Sequence, residues 1–152
     1  MNEAEIVVDD RAPVLRIIRE FDAPPEKVFR AHVDPDLFVR WNFPEGFTVR
    51  FDHFDCRTGG AYRISMSGPD MEGSVHGSFH DVIPNELIVQ TFAPDDGSEL
   101  VVLEKHRFED LGNGRTRLTA QSLVESFEHR DLFLDAGMVE GYLRLDELLL
   151  EL

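Results

Sequence analysis

The chain has 152 residues, with 15 Lys and Arg set against 30 Asp and Glu, for a formal net charge of −15. That length suits one domain, residues 1–152, with a sizeable core. The acidic balance argues against nucleic acid and anionic membrane as partners, because both select clustered Lys and Arg. No apolar run is long enough to span a bilayer, no basic-then-apolar leader opens the sequence, and a single cysteine, Cys56, excludes an internal disulfide. Together these point to a cytoplasmic protein.

Residues 1–12 show no periodicity and read as a loose lead-in. Val14 to Phe21 alternates, with Leu15 and Ile17 opposed to Arg16 and Ile18, as a strand does. Asp22-Ala23-Pro24-Pro25-Glu26 is a helix start: Asp22 or Ala23 caps, and the prolines fill a first turn that needs no amide donor. Val28, Phe29 and Ala31 give that helix an apolar side. A second start at Asp34-Pro35-Asp36 leads into a short helix carrying Leu37, Phe38 and Trp41, which Pro44-Glu45-Gly46 ends.

From Phe47 the period becomes two. Phe47, Val49 and Phe51 share a face, as do Tyr62, Ile64 and Met66 after the Thr58-Gly59-Gly60 turn. Val75, Phe79 and Val82 follow on a strand that Gly77 is expected to bend. Leu87–Phe92 and Leu100–Phe108 are further strands. Leu111-Gly112-Asn113-Gly114 is a hairpin turn into Arg115–Leu123. About seven strands joined by consecutive hairpins make an antiparallel sheet.

The end of the chain, from about Arg130 to Leu152, reads as one long helix. Glu140, Arg144, Glu147 and Glu151 fall on one narrow polar line and leucines cover most of the rest. Such a helix is expected to be buried on nearly all sides, and a curved sheet is the natural wrapper. Gly137 and Gly141, one turn apart, would let it approach a neighbour closely.

In this order, strand, two helices, about six strands and a long helix, the chain resembles the α+β helix-grip fold of the START-related ligand-binding superfamily. Within it the chain is similar to the family named for homology to the activator of the heat-shock-protein-90 ATPase. The residues that carry the resemblance are Phe21-Asp22-Ala23-Pro24, Val28-Phe29-Arg30-Ala31, Asp34-Pro35 with Trp41 and Pro44, Asp55 through Arg63, Gly114 through Thr119, and Gly137-Met138 with Gly141. Two positions depart from the family pattern: Asn42 follows the tryptophan where a second aromatic is common, and Thr58 stands in its Arg-Pro-Gly-Gly turn.

His76 and His80 share a strand face but lie about 13 Å apart at strand rise, too far to share one ion. No metal site, cofactor or catalytic residue is assigned, and Cys56 lacks the histidine partner of a nucleophile. Arg57 and Arg63 read as structural ion-pair partners. Asp135 and Asp146 sit inside the apolar arc of the last helix, about 16 Å apart along it, so they form no acid–base pair. Asp135 is expected to be exposed. For Asp146 a salt bridge with an arginine of the sheet or first helices competes with a place in a pocket.

Trp41, Phe43, Tyr62, Met66, Phe79, Phe92, Met138 and Tyr142, with Asp146, are the candidates for a ligand cavity between sheet and last helix. Core packing is the alternative for each aromatic. The resemblance implies a non-enzymatic domain holding a small apolar molecule, and a homodimer is compatible with it. A cyclase- or hydrolase-like enzyme using a lone acid–base residue, and a co-factor of a heat-shock-protein-90-type chaperone, are the alternatives it also implies.

Overall fold

The computed structural model describes residues 2–134 and 138–152, and no side chain between 132 and 138 is described. The strands are β1 (Glu5–Val8), β2 (Val14–Phe21), β3 (Thr48–Phe54), β4 (Ala61–Ser67), β5 (Glu72–Ile83), β6 (Leu87–Pro94), β7 (Val102–Gly112) and β8 (Arg115–Leu123). They form one antiparallel sheet in the order β1-β2-β8-β7-β6-β5-β4-β3. Two helices, α1 (Pro25–Val33) and α2 (Pro35–Asn42), follow β2, and α3 (Phe127–Leu134) and α4 (Met138–Leu149) come last. This is a curved α+β helix-grip fold with eight strands.

The eighth strand is the correction. Residues 5–8, within the segment read as a loose lead-in, pair with β2 from Glu5–Ile18 to Val8–Leu15. Ile6 and Val8 are both exposed at this edge, so no face of the segment carried a burial pattern. The α1 start also differs by one or two residues: Pro24 is the N-cap and no side chain caps it. Asp34 caps α2 through the Asp36 amide.

Register decides what faces inward. One straight row crosses the concave face as Leu15, Ser122, Glu104, Gln90 and Phe79. The next row is Ile17, Ala120, His106 and Ile88. Most of these side chains are apolar, as a core face requires, yet polar side chains sit mid-face on three adjacent strands. Gly77 is needed for another reason than a bend: a Cβ there would lie 2.0 Å from the Thr91 carbonyl oxygen and 2.6 Å from the Tyr62 ring. The bulge in β5 falls after it, between Phe79 and Asp81.

Tyr142, Leu145, Leu148 and Leu149 face the core from α4. Phe21 meets Tyr142 edge-on at 5.6 Å between centroids. The other side of α4 is open, contrary to the expectation of near-complete burial: Leu143 is 47% exposed alongside Glu140 and Glu147, and Leu150, just past the helix end, is 89% exposed. An open sheet grips one flank of the helix and α2 a second, which leaves the third to solvent. Gly141 packs against α2, where a Cβ would sit 3.3 Å from the Trp41 carbonyl oxygen. The Arg144 Nε donates to that same carbonyl at 3.0 Å. This satisfies one acceptor at the end of α2 and draws Arg144 off the solvent stripe. Gly137 and Asp135 lie outside the described residues. Among the described residues no helix is long and apolar enough to cross a membrane.

Candidate functional site

Between the concave face, α2 and α4 lies a cavity of about 450 Å³. Its sheet side is Phe54, Tyr62, Ile64, Phe79 and Ile88, and its helix side is Phe38, Trp41, Gly141 and Tyr142. Half-buried Phe43 and Met66, with exposed Met71, stand where it reaches the surface.

Two of the aromatic donors are already engaged. The Trp41 indole Nε1 donates to the Ala31 carbonyl at 2.8 Å, and the Tyr62 hydroxyl donates to the Thr91 carbonyl at 2.7 Å. Each ring is therefore locked by its polar end and contributes an apolar face. Trp41 stacks near-parallel on Tyr142, 20° between planes and 6.0 Å between centroids, which ties the α2 wall to the α4 wall. Burial raises the Tyr62 and Tyr142 hydroxyl pKa values, with the nearby Glu104 carboxyl adding to both.

A polar floor closes the deep end. Glu104, 8% exposed, accepts a hydrogen bond from Gln90 Nε2 through Oε1 at 3.1 Å. Its Oε2 has no hydrogen-bond partner among the described residues. Burial pushes the carboxyl up to about 7, against the pull of the Gln90 hydrogen bond. His32 of α1 and His106 of β7 meet edge-to-face at 5.6 Å. His32 Nδ1 lies 2.8 Å from the Val28 carbonyl oxygen, so it carries the hydrogen and Nε2 is left as an unpaired acceptor. Burial lowers His32 to about 3, helped by His106, and burial lowers His106 to about 4. Both rings are neutral at pH 7.

Seven of the nine candidate residues border this cavity: Trp41, Phe43, Tyr62, Met66, Phe79, Phe92 and Tyr142. The Met138 side chain lies outside the described residues. Asp146 does not border the cavity. Its carboxylate binds Arg19 in both prongs, at 2.8 and 2.6 Å, so the salt-bridge assignment holds and the pocket assignment does not. The sequence reading placed none of Glu104, His106, Gln90 and His32 in the cavity, and weighed His106 only as a metal partner for His76 or His80. The signal was there: Glu104 and His106 are in phase with Val102 and Phe108, and His32 is one helical turn beyond Val28.

The remaining candidates are placed elsewhere. His76 pairs with Asp95 at 2.6 Å on an exposed surface, while His106 faces the cavity. Among the described residues no group of three or more His, Cys, Asp or Glu is arranged to hold a metal ion. Burial, with Asp55 beside it, pushes the Cys56 thiol up to about 12. Arg57 pairs with Asp55, and Arg63 with Asp95.

A sequence model of the Activator of Hsp90 ATPase homolog 1-like protein family matches residues 22–149. The chain belongs to this family. The match takes in α1 through α4, hence every element that borders the cavity. Solved structures of the same shape include a protein of Rhodobacter sphaeroides, 24% identical, covering 97% of this chain and 99% of that one at a TM-score of 0.84. A Chromobacterium violaceum protein is 26% identical, covers 90% and 96%, and has a TM-score of 0.77. An Arthrobacter aurescens protein is 25% identical, covers 97% and 92%, and scores 0.82. No curated protein matches the chain.

Proposed function

We propose that this member of the Activator of Hsp90 ATPase homolog 1-like protein family is a small-molecule-binding domain that holds an apolar, ring-containing ligand under α4. The observation that carries the reading is the cavity of about 450 Å³ whose walls are aromatic and aliphatic side chains, with the polar ends of Trp41 and Tyr62 already bonded. That volume lies in the usual range for ligand pockets. Water in such a space finds few partners, so an apolar molecule displaces it at low cost.

A thermal-shift panel of polycyclic aromatic and sterol-like molecules tests this. A ligand that binds only the folded state stabilises it by about 2.7 kcal/mol at a hundredfold excess over Kd. Met66 borders the cavity and lies outside the packed core cluster. Met66→Trp should therefore fill the space, abolish the shift and leave the melting temperature of the free protein within a few degrees. A panel with no stabiliser, or a shift that survives Met66→Trp, contradicts the proposal.

A further inference from the structure

The polar floor says more about the ligand than its hydrophobicity, provided that the cavity is a ligand site. Glu104 projects from the middle of the concave face, between Gln90 and Ser122 in register, and one carboxyl oxygen has no partner among the described residues. A buried carboxylate normally keeps a cation beside it. Here no cation among the described residues is bonded to it. Arg19, the buried arginine of the same face, is held in both prongs by Asp146. Arg144 borders the cavity but its Nε is bonded to the Trp41 carbonyl at the α2 end. No lysine borders the cavity.

A neighbouring group on the floor, His32, is also an acceptor. His32 Nε2 is a lone pair with no partner, and His106 Nδ1 has none either. The walls add the faces of Trp41, Tyr62, Phe79 and Tyr142, and aromatic faces attract cations. The net charge of −15 draws cations towards the whole molecule and repels anions.

We infer that the cavity selects an apolar molecule carrying a protonated amine, with Glu104 as its counter-ion, and rejects the corresponding carboxylates. The ammonium donates to the free Glu104 oxygen while its hydrophobic body lies between Trp41, Tyr142 and the sheet. A carboxylate of the same shape meets the Glu104 carboxyl and the lone pair of His32 Nε2 at the floor.

A matched series with one hydrophobic body decides this: para-phenylbenzylamine, para-phenylbenzyl alcohol and para-phenylbenzoate, titrated into the full chain by calorimetry. At pH 8 the amine should bind about a hundredfold more tightly than the benzoate, with the alcohol between them. Amine affinity should rise between about pH 6 and 8 as Glu104 gives up its proton, because the facing His32 and His106 are neutral throughout, Arg19 and Asp146 are paired with each other, and Arg144 is bonded to the Trp41 carbonyl. Alcohol affinity should stay flat over that range. Glu104→Gln should remove the preference for the amine and its pH dependence while the alcohol still binds. Equal binding of amine and benzoate, or a preference for the benzoate, overturns the inference and leaves the cavity as a ligand site. An amine preference that survives Glu104→Gln overturns the role of Glu104. If none of the three binds, the ligand-site reading falls and the inference falls with it.

Discussion

Acidification should unfold this protein through two imidazoles. His32 and His106 are held neutral in the fold, at about 3 and about 4 against an ordinary value of 6.5. Both folded values lie below the unfolded one. The stability they contribute is therefore fully present above pH 6.5 and is lost as pH falls towards those values. At about 1.4 kcal/mol per factor of ten in proton affinity, His32 holds about 5 kcal/mol and His106 about 3. Together these rival the whole stability of an ordinary domain, about 5–15 kcal/mol.

Glu104 works in the opposite direction. Its folded value of about 7 lies above the ordinary 4.5, so burial of its charge costs stability above pH 7 and that cost is relieved as pH falls to 4.5. The two effects partly offset each other between pH 7 and 4.5; below 4.5 the histidines act without that offset, joined at the acid end by Asp9, Asp52, Asp95 and Asp96, whose hydrogen bonds hold their carboxyls below the usual range. Circular dichroism against pH should show a steep transition at about pH 4. His32→Phe keeps a flat ring among Trp41, His106 and Phe108 and removes the titration. It should move the midpoint down by about half a pH unit or more. Glu104→Gln should stabilise the protein at pH 8 and steepen the loss of stability between pH 6.5 and 4.5, because the opposing carboxyl is gone. An acid midpoint unmoved by His32→Phe would contradict this account.

The second large effect is at the grip itself. Arg19 is 2% exposed and its guanidinium is held by both Asp146 oxygens, with its carbon 4.7 Å above the Phe21 ring. The pair joins β2 to α4. Asp146→Ala leaves a buried charge unpaired and should cost about 3 kcal/mol, the low end for such a break. The low end applies because Asp146 keeps 35% of its side chain exposed. Arg19→Met with Asp146→Leu should recover most of that loss, since hydrophobic replacement of a whole buried pair is often neutral. Urea denaturation of Arg19→Met, Asp146→Leu and the double closes the cycle. Additive losses would show that the bridge does not couple strand to helix.

Arg19 also shows what the sequence made legible. Leu15, Ile17 and Phe21 announce an inward face by their spacing, and Arg19 stands in phase with them. The same holds for Glu104 and His106 between Val102 and Phe108. Period-two patterning located seven strands and most of the cavity walls, because aromatic side chains in phase have only one side on which to bury. It gave the polar floor no weight, since a charged residue is assigned to solvent by type before its phase is considered. The short β1 edge had no buried face to betray it. The openness of α4 was hidden for a different reason. Leu143 and Leu150 look like core residues on a helical wheel, and a wheel carries no record of where the sheet stops.

The most direct measurement uses Trp41, the single tryptophan, which is 6% exposed and stacks on Tyr142 at the cavity wall. Bromine quenches tryptophan emission only near contact, so a brominated para-phenylbenzyl alcohol reports on entry into the cavity. The account predicts saturable quenching of Trp41 that reaches a plateau and is lost in Met66→Trp refilled protein when the added indole is subtracted. Emission that stays constant, or that falls linearly without a plateau as for a collisional quencher of an unfolded chain, would contradict a ligand site under α4.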